Sequence, residues 1–200
     1  MTPVLPRPRP PSRRDTRAPT GPAAIGAAAA VLVGGCVLLA MRQPLTRSTA
    51  RPTASLVAVF VVLGAIGMAW PLRPVTAGTV PVLVVVGVGV AAFALGRALG
   101  GGHSPAPFGL RAVALNSLAA VAEEAFFRRF AYGVLAEWSR AGAVAGCAVL
   151  FALVHVTIYG AWVLPLDIAA GLVLGWQRWA GGRWTVPAFT HVVANVLVMI

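Results

Sequence analysis

Lysine is missing from this chain: all sixteen basic residues are arginine, and only five acidic residues stand against them, for a net charge of +11 over 200 positions. The arginines cluster at the ends of apolar segments instead of along one soluble face, which argues against a nucleic-acid surface, and no nucleic-acid partner is expected. Only two cysteines occur, Cys36 and Cys147, each inside an apolar segment. That excludes a disulfide scaffold and a four-cysteine zinc site, and leaves two small buried hydrophobes. Charged residues make up only 10% of the chain and hydrophobic ones 58%, which excludes an ordinary soluble domain. No internal repeat is visible, which counts mildly against a transporter built from two related halves. The missing lysine, together with abundant Ala, Gly, Pro and Val, is what a G/C-rich coding genome produces and hints at a bacterial source.

What is present is one apolar segment of spanning length after another. Mean hydropathy is +0.84. Candidate spans fall at 21–41, 55–70, 79–95, 112–138, 141–158, 163–179 and 184–200, so the expected architecture is an all-α polytopic transmembrane bundle of about seven helices. Residues 1–20 carry five arginines among prolines and read as a disordered basic tail on the cytoplasmic side. Residues 21–105 are then expected to hold the N-terminal transmembrane helices, and 106–200 a catalytic helical core. The 96–111 loop, with His103, is the longest internal connection and is expected to be mobile. Counted on alternate sides, arginines number eleven with the tail and five opposite, which puts the N-terminus in the cytoplasm of a multi-pass plasma-membrane protein.

Against this background Glu123 and Glu124 stand out, because an ionised group at mid-membrane costs a few kcal/mol even on lenient scales. In Glu123-Glu124-Ala125-Phe126-Phe127-Arg128, Arg128 lies one helical turn past Glu124 and can neutralise it. Glu123 points about 100° away and has no partner on its own helix. Two of the three histidines also fall in apolar segments: His155, four residues after Phe151, and His191, four residues before Asn195. At about 1.5 Å per residue, Glu123 and His155 lie on the order of 20 Å from the cytoplasmic ends of their spans, and His191 roughly 10 Å. Asp167 is read as interfacial or structural, with substrate binding as the lesser reading, on a stripe with Gly171 and Gly175. Arg129 is expected to snorkel to the interface beside Arg140.

A carboxylate, two imidazoles and a carboxamide on three helices are the groups that peptide hydrolysis needs, a base for the water and donors for the developing oxyanion. The same residues Glu123, His155 and His191 could instead ligate Zn2+, since two His and one Glu form a catalytic ligand set with an open position for water. Both possibilities stay open at this level: a metalloprotease, or a glutamate protease with no cofactor.

The three motifs Glu-Glu-x-x-x-Arg at 123–128, Phe-x-x-x-His at 151–155 and His-x-x-x-Asn at 191–195, in this order on successive helices, resemble the CPBP family of CAAX proteases and bacteriocin-processing (Abi) proteins. The stretches 171–175 and 184–187 are also similar to that family, and the resemblance covers roughly residues 110–200. It implies an intramembrane endopeptidase in which Glu123 and His155 activate water, His191 and Asn195 hold the oxyanion, and Glu124 with Arg128 form a supporting pair. The implied partners are the bilayer and a membrane-associated peptide or protein substrate. The rival within the same fold is a non-proteolytic membrane immunity or scaffolding protein; a small transporter or channel is a third class.

Overall fold

The computed structural model describes residues 21–71, 78, 80–99 and 109–199, and among them every regular element is helical. The basic tail, His103 and most of the 96–111 loop lie outside the described residues. The helices are α1 (Pro22–Ala40), the short α2 (Arg42–Arg47), α3 (Pro52–Ala69), α4 (Val82–Leu99), α5 (Leu110–Glu124), α6 (Tyr132–Leu135), α7 (Arg140–Tyr159), α8 (Leu164–Gly181) and α9 (Thr185–Met199). Their starts and stops follow local chemistry. Proline opens α1, α3 and α8, where the missing N–H costs nothing. Ser139 caps α7 by accepting from the Gly142 N–H at 3.1 Å. Gly160 and Gly182, with φ of 88° and 68°, supply the backbone turns that end α7 and α8.

The expected all-α bundle is present, but the count of seven spans is not reproduced. Four helices, α1, α3, α4 and α7, are long and apolar enough to cross a membrane. The other three expected spans are helical and depart from a simple crossing, each for a physical reason. The 112–138 segment carries Glu123, Glu124, Arg128 and Arg129, and its winding changes: α5 gives way to a π-helix over Ala125–Ala131, then to α6. The 163–179 segment opens with a 3₁₀ turn at Ala161–Val163 and carries Asp167 and Arg178. The last is a shorter apolar helix of 15 residues.

Helix α5 runs beside α3 in parallel, since Gly64 meets Ala122 and Gly67 meets Ala125. Helix α8 lies antiparallel to α7, with Gly171 on Ala148 and Gly175 on Val144. Glycine is required at such contacts: a Cβ on Gly171 would sit 2.7 Å from the Ala148 Cα, and one on Gly67 would sit 2.5 Å from the Ala125 backbone. The apolar core gathers Leu39, Phe60, Leu63, Phe126, Phe127, Phe130 and Phe151. Many large apolar side chains face outward on α1, α3 and α4, as lipid-facing helices require. Exposed Trp138 and Trp179 stand at one end of their helices and Trp162 at the opposite end, the positions of interfacial aromatic belts.

Two arginines assigned to loops or interfaces have partners in the bundle. Arg129 is half-buried at the end of α3 and donates to the Gly67 and Trp70 carbonyls, satisfying the C-terminal end of that helix. Arg178, counted among the topology arginines, is buried, donates to the Arg128 carbonyl at 2.9 Å and lies over the Tyr132 ring. The end of α8 therefore sits inside the bundle, at the level of Arg128.

The close contact between α7 and α8 is testable. Gly171→Ala should lower stability by about 1–3 kcal/mol through overpacking. Gly87→Ala in α4, where a Cβ meets nothing within 4 Å, should be neutral or gain up to about 1 kcal/mol of helix propensity. Thermal unfolding of the two purified variants in detergent micelles checks the contrast.

Candidate active site

The change of winding after Glu124 sets the site. A π segment admits an extra residue into the turn, and such segments recur at functional positions. Here it carries Arg128, whose guanidinium is fully buried and reaches two ways. Its Nη1 lies 3.3 Å from Glu124 Oε1, and its Nη2 donates to the Gly171 carbonyl at 3.3 Å, on α8. The guanidinium also lies over the Phe151 ring, 4.8 Å from its centroid. The Glu124 carboxylate takes a second partner, His191 Nδ1, at 3.0 Å. One buried carboxylate thus ties α5, α8 and α9 together through one arginine and one imidazole.

Glu123 is 4% exposed and points elsewhere, as its offset on the helix requires. The expectation that it lacks a partner is overturned: Arg42 on α2 donates from Nη1 to Glu123 Oε1 at 2.8 Å. Arg42 is itself buried, over the Phe60 ring. Sequence reasoning counted it with loop arginines because it follows directly on an apolar run. The one hint was an inventory of charge: an intramembrane carboxylate with no cation on its own helix must find one on another.

His155 lies against Phe151, ring centroids 4.5 Å apart, and stacks on Tyr159. Its Nδ1 donates to the Phe151 carbonyl at 2.7 Å, because a carbonyl can only accept, so the neutral ring carries its lone pair on Nε2. His191 packs edge-on to the same Phe151 ring at 5.8 Å. The two imidazoles therefore meet on one phenylalanine, and Glu123 lies within electrostatic reach of both. The depth mismatch expected for His191 does not keep it from the site, since its Nδ1 meets the Glu124 carboxylate.

Asn195 lies one turn beyond His191 on α9. Its Nδ2 donates to the Asn116 carbonyl at 3.2 Å, and the side chain lines a cavity between α4, α8 and α9. Asp167 lines the same cavity and lies within electrostatic reach of Glu123, His155 and His191, closer to the chemistry than an interfacial role implies. Cys147 donates its thiol to the Phe127 carbonyl at 3.2 Å, a structural contact beneath the site. Both cysteines are free.

Among the described residues no three of His, Cys, Asp and Glu converge closely enough to hold a metal ion, and Arg42 occupies Oε1 of Glu123.

Residues 105–197 match the family model described as type II CAAX prenyl endopeptidase Rce1-like. This segment is similar to the Rce1-like family. The match begins ahead of α5 and ends within α9, so it contains Glu123, Glu124, Arg128, His155, His191 and Asn195, and it agrees with the resemblance read from the three motifs. The Rce1-like family is one of CAAX-type proteases, and with four apolar helices of spanning length the chain is a membrane protein. Arg42 and the helices α1 to α4 lie outside the Rce1-like segment. No curated protein and no solved structure matches the chain.

The Glu124 network makes a quantitative prediction. Arg128→Met leaves the buried Glu124 carboxylate short of its cation and should cost about 3–5 kcal/mol. Adding Glu124→Gln should recover part of that loss, with a coupling of about 0.5–3 kcal/mol in a double-mutant cycle read from detergent-phase unfolding.

Proposed function

We propose that the chain is an intramembrane endopeptidase of a bacterial plasma membrane, hydrolysing a peptide bond of a membrane-associated protein or peptide with water activated by Glu123 and His155. The observation that carries this is the packing of His155 and His191 on the Phe151 ring with Glu123 within electrostatic reach of both, each of the three already oriented by a second contact. Preorganisation of that kind is what lets a base and an oxyanion donor act without rearranging.

The chemistry follows from which atoms are occupied. Arg42 holds one oxygen of Glu123, compensating its charge and fixing its rotamer, and leaves Oε2 to accept a proton from water. His155, with Nδ1 tied to the Phe151 carbonyl, offers the Nε2 lone pair to orient that water. The water oxygen bonds to the scissile carbonyl carbon, and the carbonyl electron pair moves onto oxygen. In its imidazolium form His191 supports that oxyanion from Nε2–H, with Nδ1–H held by the Glu124 carboxylate. The Asn195 amide adds a second donor. The carbon–nitrogen bond then breaks as the leaving amine takes the proton held by Glu123, and the carboxylate is restored. Arg42 acts through Glu123 and is a positioning residue.

The arginine asymmetry still supports a cytoplasmic N-terminus. With Arg42, Arg128 and Arg178 assigned to the interior, nine arginines remain on the side of the tail and four opposite.

Comparative membrane proteomics of wild type against Glu123→Gln tests the proposal. Uncleaved precursors should accumulate only in the variant; an unchanged peptide profile, or full biological complementation by Glu123→Gln, would favour the immunity or scaffolding role instead. On a substrate identified this way, Glu123→Gln and His155→Ala should each lower turnover by about 10²–10⁴-fold. His191→Ala and Asn195→Ala should lower kcat by about 10²–10³-fold. Arg42→Ala should reduce kcat with little effect on KM, and Arg42→Lys should restore part of it.

A further inference from the structure

The cavity between α4, α8 and α9 has a volume of about 520 Å³, within the range of about 300–1,000 Å³ that holds a sizeable ligand. Its walls are apolar, with Phe93, Ala170, Val173 and Val198 among them, and it shares Asn195 with the proposed oxyanion site. Three polar side chains also line it: Asn195, Arg97 and Asp167. Two are directed to the backbone, Asn195 to the Asn116 carbonyl and Arg97 to the Leu197 carbonyl. Asp167 differs. Its Oδ2 is buried without a hydrogen-bond partner, and its carboxylate is within electrostatic reach of Glu123, His155, His191 and Arg42 but has no ion pair of its own among the described residues. The neighbouring carboxylates already have arginines, Arg42 on Glu123 and Arg128 on Glu124.

We infer that this cavity binds the apolar stretch of the peptide substrate and that Asp167 selects a basic residue, arginine or lysine, close to the scissile bond. The inference rests on the proteolytic reading of the site and adds its substrate class. An acid facing apolar walls is costly until a cation meets it, and a neutral amide would satisfy the oxygen while leaving the charge uncompensated. Arginine and lysine also carry aliphatic stems that suit walls of alanine, valine and phenylalanine. Because Asp167 lines the cavity and lies within electrostatic reach of Glu123, a cation held there brings the adjoining peptide bond toward the reacting groups.

The test uses the full wild-type chain in phosphatidylcholine nanodiscs and three fluorescent membrane-inserting peptides of about twenty residues. The peptides are Leu-Ala in composition and identical but for one central Arg, Gln or Glu. Anisotropy is read in the cold, and mass spectrometry verifies that the peptides stay intact. The Arg peptide should bind roughly tenfold tighter than the Gln peptide. Asp167→Asn, which keeps size and hydrogen bonding but removes the charge, should bring that ratio close to one, and Asp167→Arg should reverse it in favour of the Glu peptide. Equal binding of the Arg and Gln peptides, or an Arg preference that persists in Asp167→Asn, overturns the inference. These outcomes are independent of the proteomic test: loss of the Arg preference with precursors still accumulating in Glu123→Gln sinks only the substrate class, whereas no precursor accumulation sinks the enzymatic reading itself.

Discussion

The buried contact of Glu124 with Arg128 and His191 is the constraint around which the Rce1-like half of the molecule is arranged. Both Glu124 and Arg128 are fully buried. Ions withdrawn that far from water must be paired and hydrogen-bonded, and their partners lie on different helices: His191 on α9, the Gly171 carbonyl on α8. The requirement to neutralise one charge thus fixes the relative placement of three elements. It also explains the packing around them, since Arg128 reaches Gly171 only because α8 comes close to α7 where neither Gly171 nor Ala148 has bulk.

The proposed reacting groups are built on this frame. Glu124 turns the His191 ring by its Nδ1, the backbone of α7 turns the His155 ring by its Nδ1, and Phe151 separates and supports both. Aromatic and ionic contacts divide the labour here: ions set which nitrogen points outward, and the phenylalanine sets where each ring stands. Arg42 completes the arrangement from outside the family-matched segment. The N-terminal helices therefore contribute a group that meets the carboxylate placed at the centre of the chemistry, and the matched segment alone would leave Glu123 without its cation.

Small residues and irregular winding are the means by which charge is admitted into an apolar bundle. The π segment over Ala125–Ala131 carries two arginines inward or sideways, Arg128 to the network and Arg129 to the last carbonyls of α3. The end of α8 brings Arg178 to the Arg128 carbonyl, and α9 brings His191 to Glu124. Each departure from a straight spanning helix coincides with a charged residue that needs a partner.

The amino-acid sequence by itself determined the helical class and the pairing of Glu124 with Arg128, because hydropathy and helical spacing are local properties that survive in any packing. The order of the three motifs also carried the resemblance to CAAX-type proteases. Tertiary structure alone decided the rest. A 3.6-residue period predicts a continuous helix and gives no sign of the π turn after Glu124. Depth counted from the ends of spans assumes that every helix begins at the membrane surface, and it gives no sign that His191 meets Glu124. The partner of Glu123 is eighty-one residues away on α2, and no spacing rule links an arginine at the end of one helix to a carboxylate in the middle of another. Charges buried in an apolar bundle choose partners by proximity in space, which the chain order does not encode.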